Sequence, residues 1–491
     1  GGQEIRMRRM LAIIAAVTLG ALALVQVEPS APNEPGLGFS VPIDPVGAIG
    51  DQSVWYCPWV ESGAVRDSTY DVGTAVDVEA LITLPNSNPT LEPDTLPFVL
   101  RGPDARSVDT AELARRGPTP GIVEFDDGPA VVSNTMWTDE LLTGDRCVVS
   151  VPKVWHLVGG ITAEGFTLEL RLFNPFPEAA KVTVQAVSEF GSSPLGGFEG
   201  LDVPGRSWIT EDLSRVIPFL DNVTLTVKAD TGLVIPALVL NNETDEASWN
   251  GISQSATWDF PVTSVPGLEP TLVLSNTGNL PANVTIDVFA IDGAMLEVTS
   301  LLVSPQQPLR LHLSDFATPP FGVRVRSNTP VGAVIQAGPP GTFPRSELGD
   351  GLDEDLAAGV PPGGEDGDST QIGDDGTPDT YIGLASTTGN IDPTTRWLLT
   401  GIGVVPAADT SIWLMNPSSD QATVTLIPLG ATTTGPDKVI VPPGSIVEVP
   451  FAEVSETGLT GLIVDATVPI STGLSIAGSR GVAFIAGIPV E

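Results

Sequence analysis

The sequence has few cations, since 22 Lys and Arg stand against 60 Asp and Glu, and its formal net charge is −38. A protein that binds nucleic acid needs a basic face to displace counterions from the phosphates. No segment of this chain offers a basic run. The composition therefore excludes nucleic acid as a partner.

Histidine is also scarce, with only His156 and His312 in 491 residues. A hydrolase of the Ser-His-Asp type usually carries its serine in a GxSxG turn, and nucleotide-binding folds carry GxxxxGK[ST] or GxGxxG. None of these motifs occurs in a fitting context. The sequence thus predicts no enzyme, no catalytic residue and no cofactor. Five tryptophans are candidates either for a sugar-binding platform or for core packing: Trp59, Trp137, Trp208, Trp249 and Trp413.

Cysteine occurs twice, at Cys57 and Cys147. The two residues form no CxxC pair, and no histidine lies near them at metal-ligand spacing. A disulfide is therefore the favoured interpretation, and disulfides persist in oxidising compartments.

The N-terminus holds a single long apolar run, which follows Arg6, Arg8 and Arg9. Such a charge asymmetry predicts a cytoplasmic tail over residues 1–10, with the rest of the chain beyond the membrane. The run at 11–27 is short for a membrane span, so an uncleaved anchor and a cleaved signal peptide both stay open. Residues 28–50 follow as a Pro/Gly linker.

Windows with helical periodicity are almost absent, while Gly and Pro number 52 and 46. Short segments such as residues 168–174 alternate apolar and polar residues and end in turn residues. This pattern is typical of half-buried antiparallel strands.

A repeat becomes visible when the Trp-bearing segments are aligned. Trp155, Trp258 and Trp397 are followed, after 19, 18 and 19 residues, by Asn174, Asn276 and Asn416. An Ala six residues beyond each Asn opens an Ala-x-Val-Thr strand. The Asn side chain is expected to bind backbone groups in the turn that it begins, and each Trp is expected to pack in a core.

A fourth and more divergent copy starts at Trp55, with Asn86 as its predicted counterpart of the turn Asn. The spacing from Trp55 to Asn86 is 31 residues, and this copy is expected to lack the Ala-x-Val-Thr strand.

Units of about 100 residues with some seven short strands have the size of immunoglobulin-like β-sandwiches. The predicted fold class is all-β, an N-terminal helix followed by four tandem sandwich modules. The predicted module boundaries are 51–152, 153–253, 254–342 and 394–491, with an acidic flexible insertion at 343–393.

The insertion carries eleven acidic residues between Glu347 and Asp379 and no Lys or Arg. Hard cations such as Ca²⁺ prefer several carboxylate ligands. Weak candidate ligands are Asp366, Asp368, Asp374 and Asp375. The segment fails the EF-hand pattern, and a solvated linker is the favoured interpretation of such a like-charged run.

The repeat pattern LxLxNP, AxVTV and VPxGS, together with the start Trp55–Pro58, resembles an actinobacterial family of membrane-anchored or secreted proteins of unknown function. The resemblance implies tandem β-sandwich repeats behind an N-terminal anchor and brings no assigned activity. It also implies a partner in the cell envelope.

The expected function is that of a membrane-tethered, extracytoplasmic scaffold or interaction module without enzymatic activity. The alternative is a cell-surface protein that binds glycans, with contacts assisted by Ca²⁺. In both cases the N-terminal helix contacts the membrane, and the partner is an envelope protein or a glycan.

Overall fold

The computed structural model describes residues 53–345 and 380–490, apart from short gaps at 64–65, 89, 114–116, 127, 196–197, 243–244, 431–437, 455–460 and 480. These residues lie in one unit, Pro42–Glu491. They form β-strands and short 3-10 turns without an α-helix, so the predicted all-β class is confirmed for this part of the chain. The predicted segments at 1–10, 11–27 and 28–50 fall outside the described residues.

Within the described ranges, none of the helices combines the length and the apolar character that a membrane crossing requires. The candidate Ca²⁺ ligands in the acidic insertion also lie outside the described residues.

The first module contains ten strands and the 3-10 turn Thr110–Leu113. The strands are β1 (Ser53–Cys57), β2 (Glu61–Ser62), β3 (Asp67–Thr74), β4 (Val78–Leu84), β5 (Asp94–Leu100), β6 (Asp104–Asp109), β7 (Gly117–Pro118), β8 (Gly121–Phe125), β9 (Ala130–Trp137) and β10 (Leu142–Arg146).

The second module contains nine strands and the 3-10 turn Leu213–Arg215. The strands are β11 (Val154–Gly160), β12 (Thr167–Asn174), β13 (Ala180–Ser188), β14 (Gly191–Pro194), β15 (Leu201–Val203), β16 (Ser207–Asp212), β17 (Val223–Thr231), β18 (Ile235–Asn241) and β19 (Glu246–Asn250).

The third and fourth modules contain the 3-10 turns Leu313–Asp315 and Phe451–Glu453. The third has β20 (Ser255–Phe260), β21 (Glu269–Asn276), β22 (Ala282–Ala290), β23 (Gly293–Val303), β24 (Gln307–His312), β25 (Phe321–Gly338) and β26 (Ala385–Thr388). The fourth has β27 (Thr394–Thr400), β28 (Asp409–Asn416), β29 (Ala422–Pro428), β30 (Lys438–Val441), β31 (Ser445–Pro450), β32 (Gly461–Ala477), β33 (Val482–Ala486) and β34 (Ile488–Pro489).

All four modules share one topology of two antiparallel sheets. In the first module the sheets have the orders β1-β8-β4-β5 and β10-β9-β3-β6, and in the second β11-β17-β13-β14 and β16-β12-β18-β19. In the third and fourth modules one long strand, β25 or β32, serves both sheets. The first half of β25 pairs with β20 and β22, and its second half pairs with β21 and β26.

The repeated Trp lies in the opening strand of each module and joins the two sheets. All four indoles are buried, and each donates its N–H to a carbonyl at the start of the strand that leads into the second sheet. The donor–acceptor distances are 2.9 Å from Trp55 to Ala130, 2.9 Å from Trp155 to Val234, 2.9 Å from Trp258 to Val331 and 3.0 Å from Trp397 to Ile470.

The repeated Asn ends the second major strand in three modules. The Nδ2 group of Asn174 donates to the carbonyls of Glu178 (2.8 Å) and Val203 (3.2 Å), while its Oδ1 accepts from the N–H of Phe176 (3.0 Å). Asn276 and Asn416 make the same three kinds of bond. One side chain therefore fixes a tight turn in each of these modules.

In the first module the structure places Thr74, not Asn86, at the turn position. Thr74 ends β3, follows Trp55 by 19 residues, and accepts from the N–H of Val76 at 3.2 Å. Asn86 follows β4, one strand later, and its Oδ1 accepts from the N–H of Asn88. The counterpart of the Ala-x-Val-Thr strand is therefore β4, where Ala80, six residues beyond Thr74, begins the sequence Ala-x-Ile-Thr.

The acidic insertion interrupts the third module instead of separating it from the fourth. Strand β26 comes after the insertion, yet it pairs with β25 from Val334 to Ala337. The predicted boundary at 342 therefore ends the third module too early. The closing strand is needed there because it covers the edge of β25.

The four modules pack in a closed cycle. Core residues of the second module, Ala237 and Val239, belong to the hydrophobic core of the first module. The second and third modules share one core, and the third and fourth share another. The fourth module closes the cycle, because Leu398, Ile463 and Ile488 lie in the core of the first.

The closing strands β10, β19, β26 and β33 meet at the centre of this cycle, each in contact with the next and β33 with β10. Small residues permit this approach. A Cβ atom on Gly144 would lie 3.3 Å from Cδ1 of Ile485, and one on Gly481 would lie 2.3 Å from the backbone nitrogen of Leu142.

We expect Trp258→Phe to lower the free energy of unfolding by about 2–4 kcal/mol, because it removes packing and leaves the buried Val331 carbonyl without its donor. Guanidinium denaturation followed by circular dichroism measures this loss. Trp208→Phe is the matched control, since Trp208 is only half-buried. Equal losses in both variants would contradict the role given to the repeated indole.

Candidate functional site

The two cysteines form a disulfide, Cys57–Cys147, with the Cα atoms 4.6 Å apart. The prediction from their spacing is thus confirmed. The disulfide lies beside a backbone pairing that recurs in every module. In this pairing the residue after the repeated Trp pairs with a residue that follows the closing strand. The bridged pairs are Tyr56 with Val148, His156 with Ile252, Asp259 with Asn390 and Leu398 with Ile488.

The histidines are not gathered into a site. Burial lowers the pKa of His156 to about 4, and its Nδ1 lies 3.4 Å from the hydroxyl of Thr226. His312 is buried in the third module with Nδ1 3.3 Å from the carboxylate of Glu269. In the part of the chain that the structure describes, no group of three His, Cys, Asp or Glu could hold a metal ion.

The five tryptophans that were candidates for a sugar-binding platform are not exposed. Trp59, Trp249 and Trp413 are buried, while Trp137 and Trp208 are half-buried. The indole of Trp249 donates to the Val158 carbonyl at 2.8 Å, and that of Trp413 donates to the Ser475 hydroxyl at 2.9 Å. These side chains therefore serve packing between sheets and modules.

One polar cluster that the fold brings together lies where the closing strands meet. We call it the central junction and define it by Asp145, Arg146, Asn250, Asp259, Asn390 and Ser471. Each of these residues makes a hydrogen bond to another module.

Arg146, from the end of β10, bonds to two other modules. One guanidinium nitrogen donates to the Asn390 side chain (3.3 Å) and to the Gly487 carbonyl (3.4 Å), and the other donates to the Gly389 carbonyl (3.1 Å). Its planar array of donors suits several acceptors at fixed angles. Arg146 therefore links the first module to the third and the fourth.

The neighbouring contacts continue this pattern around the centre. Asp145 accepts from the backbone N–H of Asn250 at 2.9 Å, which joins the first and second modules. Asp259 forms a bidentate pair with Arg324 of its own module, at 2.7 Å for both bonds. It also accepts from the hydroxyl of Ser471 in the fourth module, at 2.7 Å.

A second arginine, the buried Arg310, joins the second and third modules. It donates to the carbonyls of Gly159 (2.9 Å) and Asp221 (3.0 Å) and to the Gln336 side chain (2.7 Å). Burial lowers its pKa to about 9, although Asp221 and Glu189 oppose this shift. The Arg310 guanidinium therefore has a structural role, since its N–H donors are directed at protein carbonyls.

Burial raises the pKa of four carboxyl groups that lie between modules, and one of them is Glu246 of the second module, which pairs with Arg66 of the first. Burial raises the pKa of Asp71 and of Asp145 to about 6 and that of Asp245 to about 8. Asp245 precedes β19 and accepts from the N–H of Leu384 in the third module at 2.6 Å. Asp71 lies beside Gly401 of the fourth module. These groups titrate within contacts that hold the cycle together.

Sequence reasoning missed the junction because its residues do not repeat. Asp145 and Arg146 precede Cys147 directly, and Asn390 follows the acidic insertion. Neither position has a counterpart of the same residue type in every copy. The only available signal was the position of Arg146, at the end of a strand in a chain with few cations.

Residues 141–253 match the model of a family of unknown function, DUF5719. The match begins just before β10 and ends after β19. It therefore contains the second module and the two closing strands, β10 and β19, that contact each other between the first and second modules. It covers less than half of the chain. No curated protein matches this sequence.

We expect Arg146→Met to lower the free energy of unfolding by about 3–5 kcal/mol, because the Asn390 side chain and two carbonyls lose their donor and Asp145 loses a nearby cation. Equilibrium denaturation in urea is the measurement. Arg101→Met is the control, since Arg101 forms an exposed ion pair with Asp77. A cycle that did not depend on the junction would tolerate both changes equally.

The raised pKa values of Asp71, Asp145 and Asp245 predict that the free energy of unfolding falls as the pH rises. Their folded pKa values lie above the ordinary value of 3.8. Their contribution is therefore fully present below about pH 4 and is lost as the pH rises through about 6 for Asp71 and Asp145 and about 8 for Asp245. Thermal unfolding between pH 4 and 9 measures the decline.

Asp245→Asn should flatten the decline between about pH 6 and 8, because Asp71 and Asp145 have by then lost their contribution and Asp245 has not. Asp292→Asn removes the same charge from an exposed turn and serves as the control for overall repulsion. If the two variants showed the same pH profile, the decline would come from the net charge and not from the buried site.

Proposed function

We propose that this chain is a non-enzymatic, membrane-tethered protein of the cell envelope that acts outside the membrane as a scaffold or interaction module. The cyclic packing of the four modules carries the proposal. Polar groups between the modules, Arg146 above all, are directed at backbone and side-chain acceptors of neighbouring modules. This arrangement supports a rigid body that presents surfaces.

Two further observations support the proposed compartment. The Cys57–Cys147 disulfide suits an oxidising environment outside the cytoplasm. The arginine-flanked apolar run at 11–27 suits an N-terminal anchor or signal. We also infer that the modules are immunoglobulin-like, because each packs two antiparallel sheets of short strands over one core.

In-cell crosslinking with the full-length chain as bait, followed by mass spectrometry of the membrane fraction, tests this function. We expect reproducible crosslinks between the described modules and one envelope protein. The matched control replaces residues 11–27 with a cleaved secretion signal, which releases the same modules from the membrane. Recovery of wall glycan alone, or of no partner, would overturn the scaffold proposal.

The compartment has its own measurement. We expect Cys57 and Cys147 to resist thiol alkylation in intact cells until a reductant is added, because the bonded sulfurs do not react. Fractionation should retain the full-length chain in membranes after a high-salt wash. Alkylation without reductant, or release into the soluble cytoplasmic fraction, would contradict the proposed location.

A further inference from the structure

Two phenylalanines stand out on the surface of the second module. Phe190 lies at the tip of the β13–β14 hairpin and is 84% exposed, and Phe219 lies in the loop before β17 and is 77% exposed. Single exposed apolar residues are common on protein surfaces. These two belong to segments that are bonded to each other, because the Glu189 carboxylate accepts from the backbone N–H groups of Asp221 (3.0 Å) and Asn222 (3.3 Å).

Phe219 also has an unfavourable backbone conformation. Its φ is +64°, a region that glycine and asparagine enter easily and bulky residues rarely do. It is the only aromatic residue with positive φ among the described residues. Such a conformation is unfavourable for a residue with a Cβ atom, and a ring that is mostly exposed gains little packing to offset the cost. A functional use of the ring explains why a phenylalanine stands at this position.

The loop is held firmly from beneath. Thr162 binds it through four hydrogen bonds: its backbone donates to Leu220 and accepts from Phe219, and its hydroxyl donates to Ile217 and accepts from Leu220. Arg310 of the third module donates to the Asp221 carbonyl at 3.0 Å. The backbone that carries Phe219 is therefore held in place, which reduces the loop entropy that binding would cost.

The charges beside the two rings indicate the chemistry of the partner. Glu189 adjoins Phe190, Asp221 follows Phe219 by two residues, and the exposed Glu164 follows Thr162 by two. The exposed Arg215, four residues before Phe219, is paired with Asp212 at 2.8 Å. An apolar pair with an acidic rim complements an apolar recess bordered by Lys or Arg, and it disfavours an anionic membrane surface.

We propose that Phe190 and Phe219 form the docking surface for a protein partner that offers an apolar recess rimmed with basic residues. The proposal rests on the proposed function, because it assigns a surface to the interaction module. Buried aromatic anchors commonly dominate such interfaces.

Photocrosslinking tests the surface directly. The photoreactive residue p-benzoylphenylalanine replaces Phe190 or Phe219 in the full-length chain in cells, and Val99, an exposed apolar residue of the first module, serves as the control position. We expect both loop positions to crosslink to one protein, at a peptide that maps to a recess with Lys or Arg at its rim. Position 99 should give no such adduct.

The purified partner then provides the quantitative test. Phe190→Ser or Phe219→Gly should weaken its binding at least tenfold, and raising the salt concentration should weaken binding to the unchanged chain. Phe219→Gly should not lower the thermal unfolding midpoint, because glycine accepts the positive φ. A lowered midpoint would show that the ring serves the fold and would overturn the proposal.

Other outcomes separate the two proposals. Crosslinks only at position 99 or other surfaces would overturn the docking surface and leave the interaction module intact. No protein adduct at any position would overturn both. Binding to phosphatidylcholine vesicles that the Phe190→Ser and Phe219→Gly changes abolish would replace the protein partner with a membrane.

Discussion

The closing strand of each module is a sheet edge, and covering that edge is the constraint on which the arrangement depends. An uncovered edge exposes backbone donors and acceptors to other chains. Here β10, β19, β26 and β33 cover one another at the centre of the cycle. Close approach demands small residues, which explains Gly144 and Gly481 at these contacts. The apolar cores shared between modules follow from that approach.

Within a module, the sequence predicts the structure well because the same physical requirement recurs. The repeated Trp must reach a carbonyl across the core, and the repeated Asn must bind three backbone groups of one turn. These requirements fix residue type and spacing together. Thr74 shows the limit, since a hydroxyl can accept the same N–H, and an alignment guided by Asn alone then selects Asn86 one strand later.

The contacts between modules could not be predicted from the sequence, because each pair of modules is joined by different residues. The first and second modules meet through Asp145 and Asn250, whereas the second and third meet around Arg310. Such contacts are set by positions that sequence distance does not reveal. Arg146 and Asn390 are 244 residues apart, and only the closed cycle brings them together. Repetition in the chain therefore reveals the modules and conceals how they are joined.

The contact between the first and fourth modules also has a consequence for biosynthesis. Side chains of the fourth module, including Leu398 and Ile488, complete the core of the first. A ribosome makes the first module several hundred residues earlier, so this core stays partly open while the intervening chain emerges. Chaperones that bind the growing chain would meet an apolar face that the finished molecule conceals.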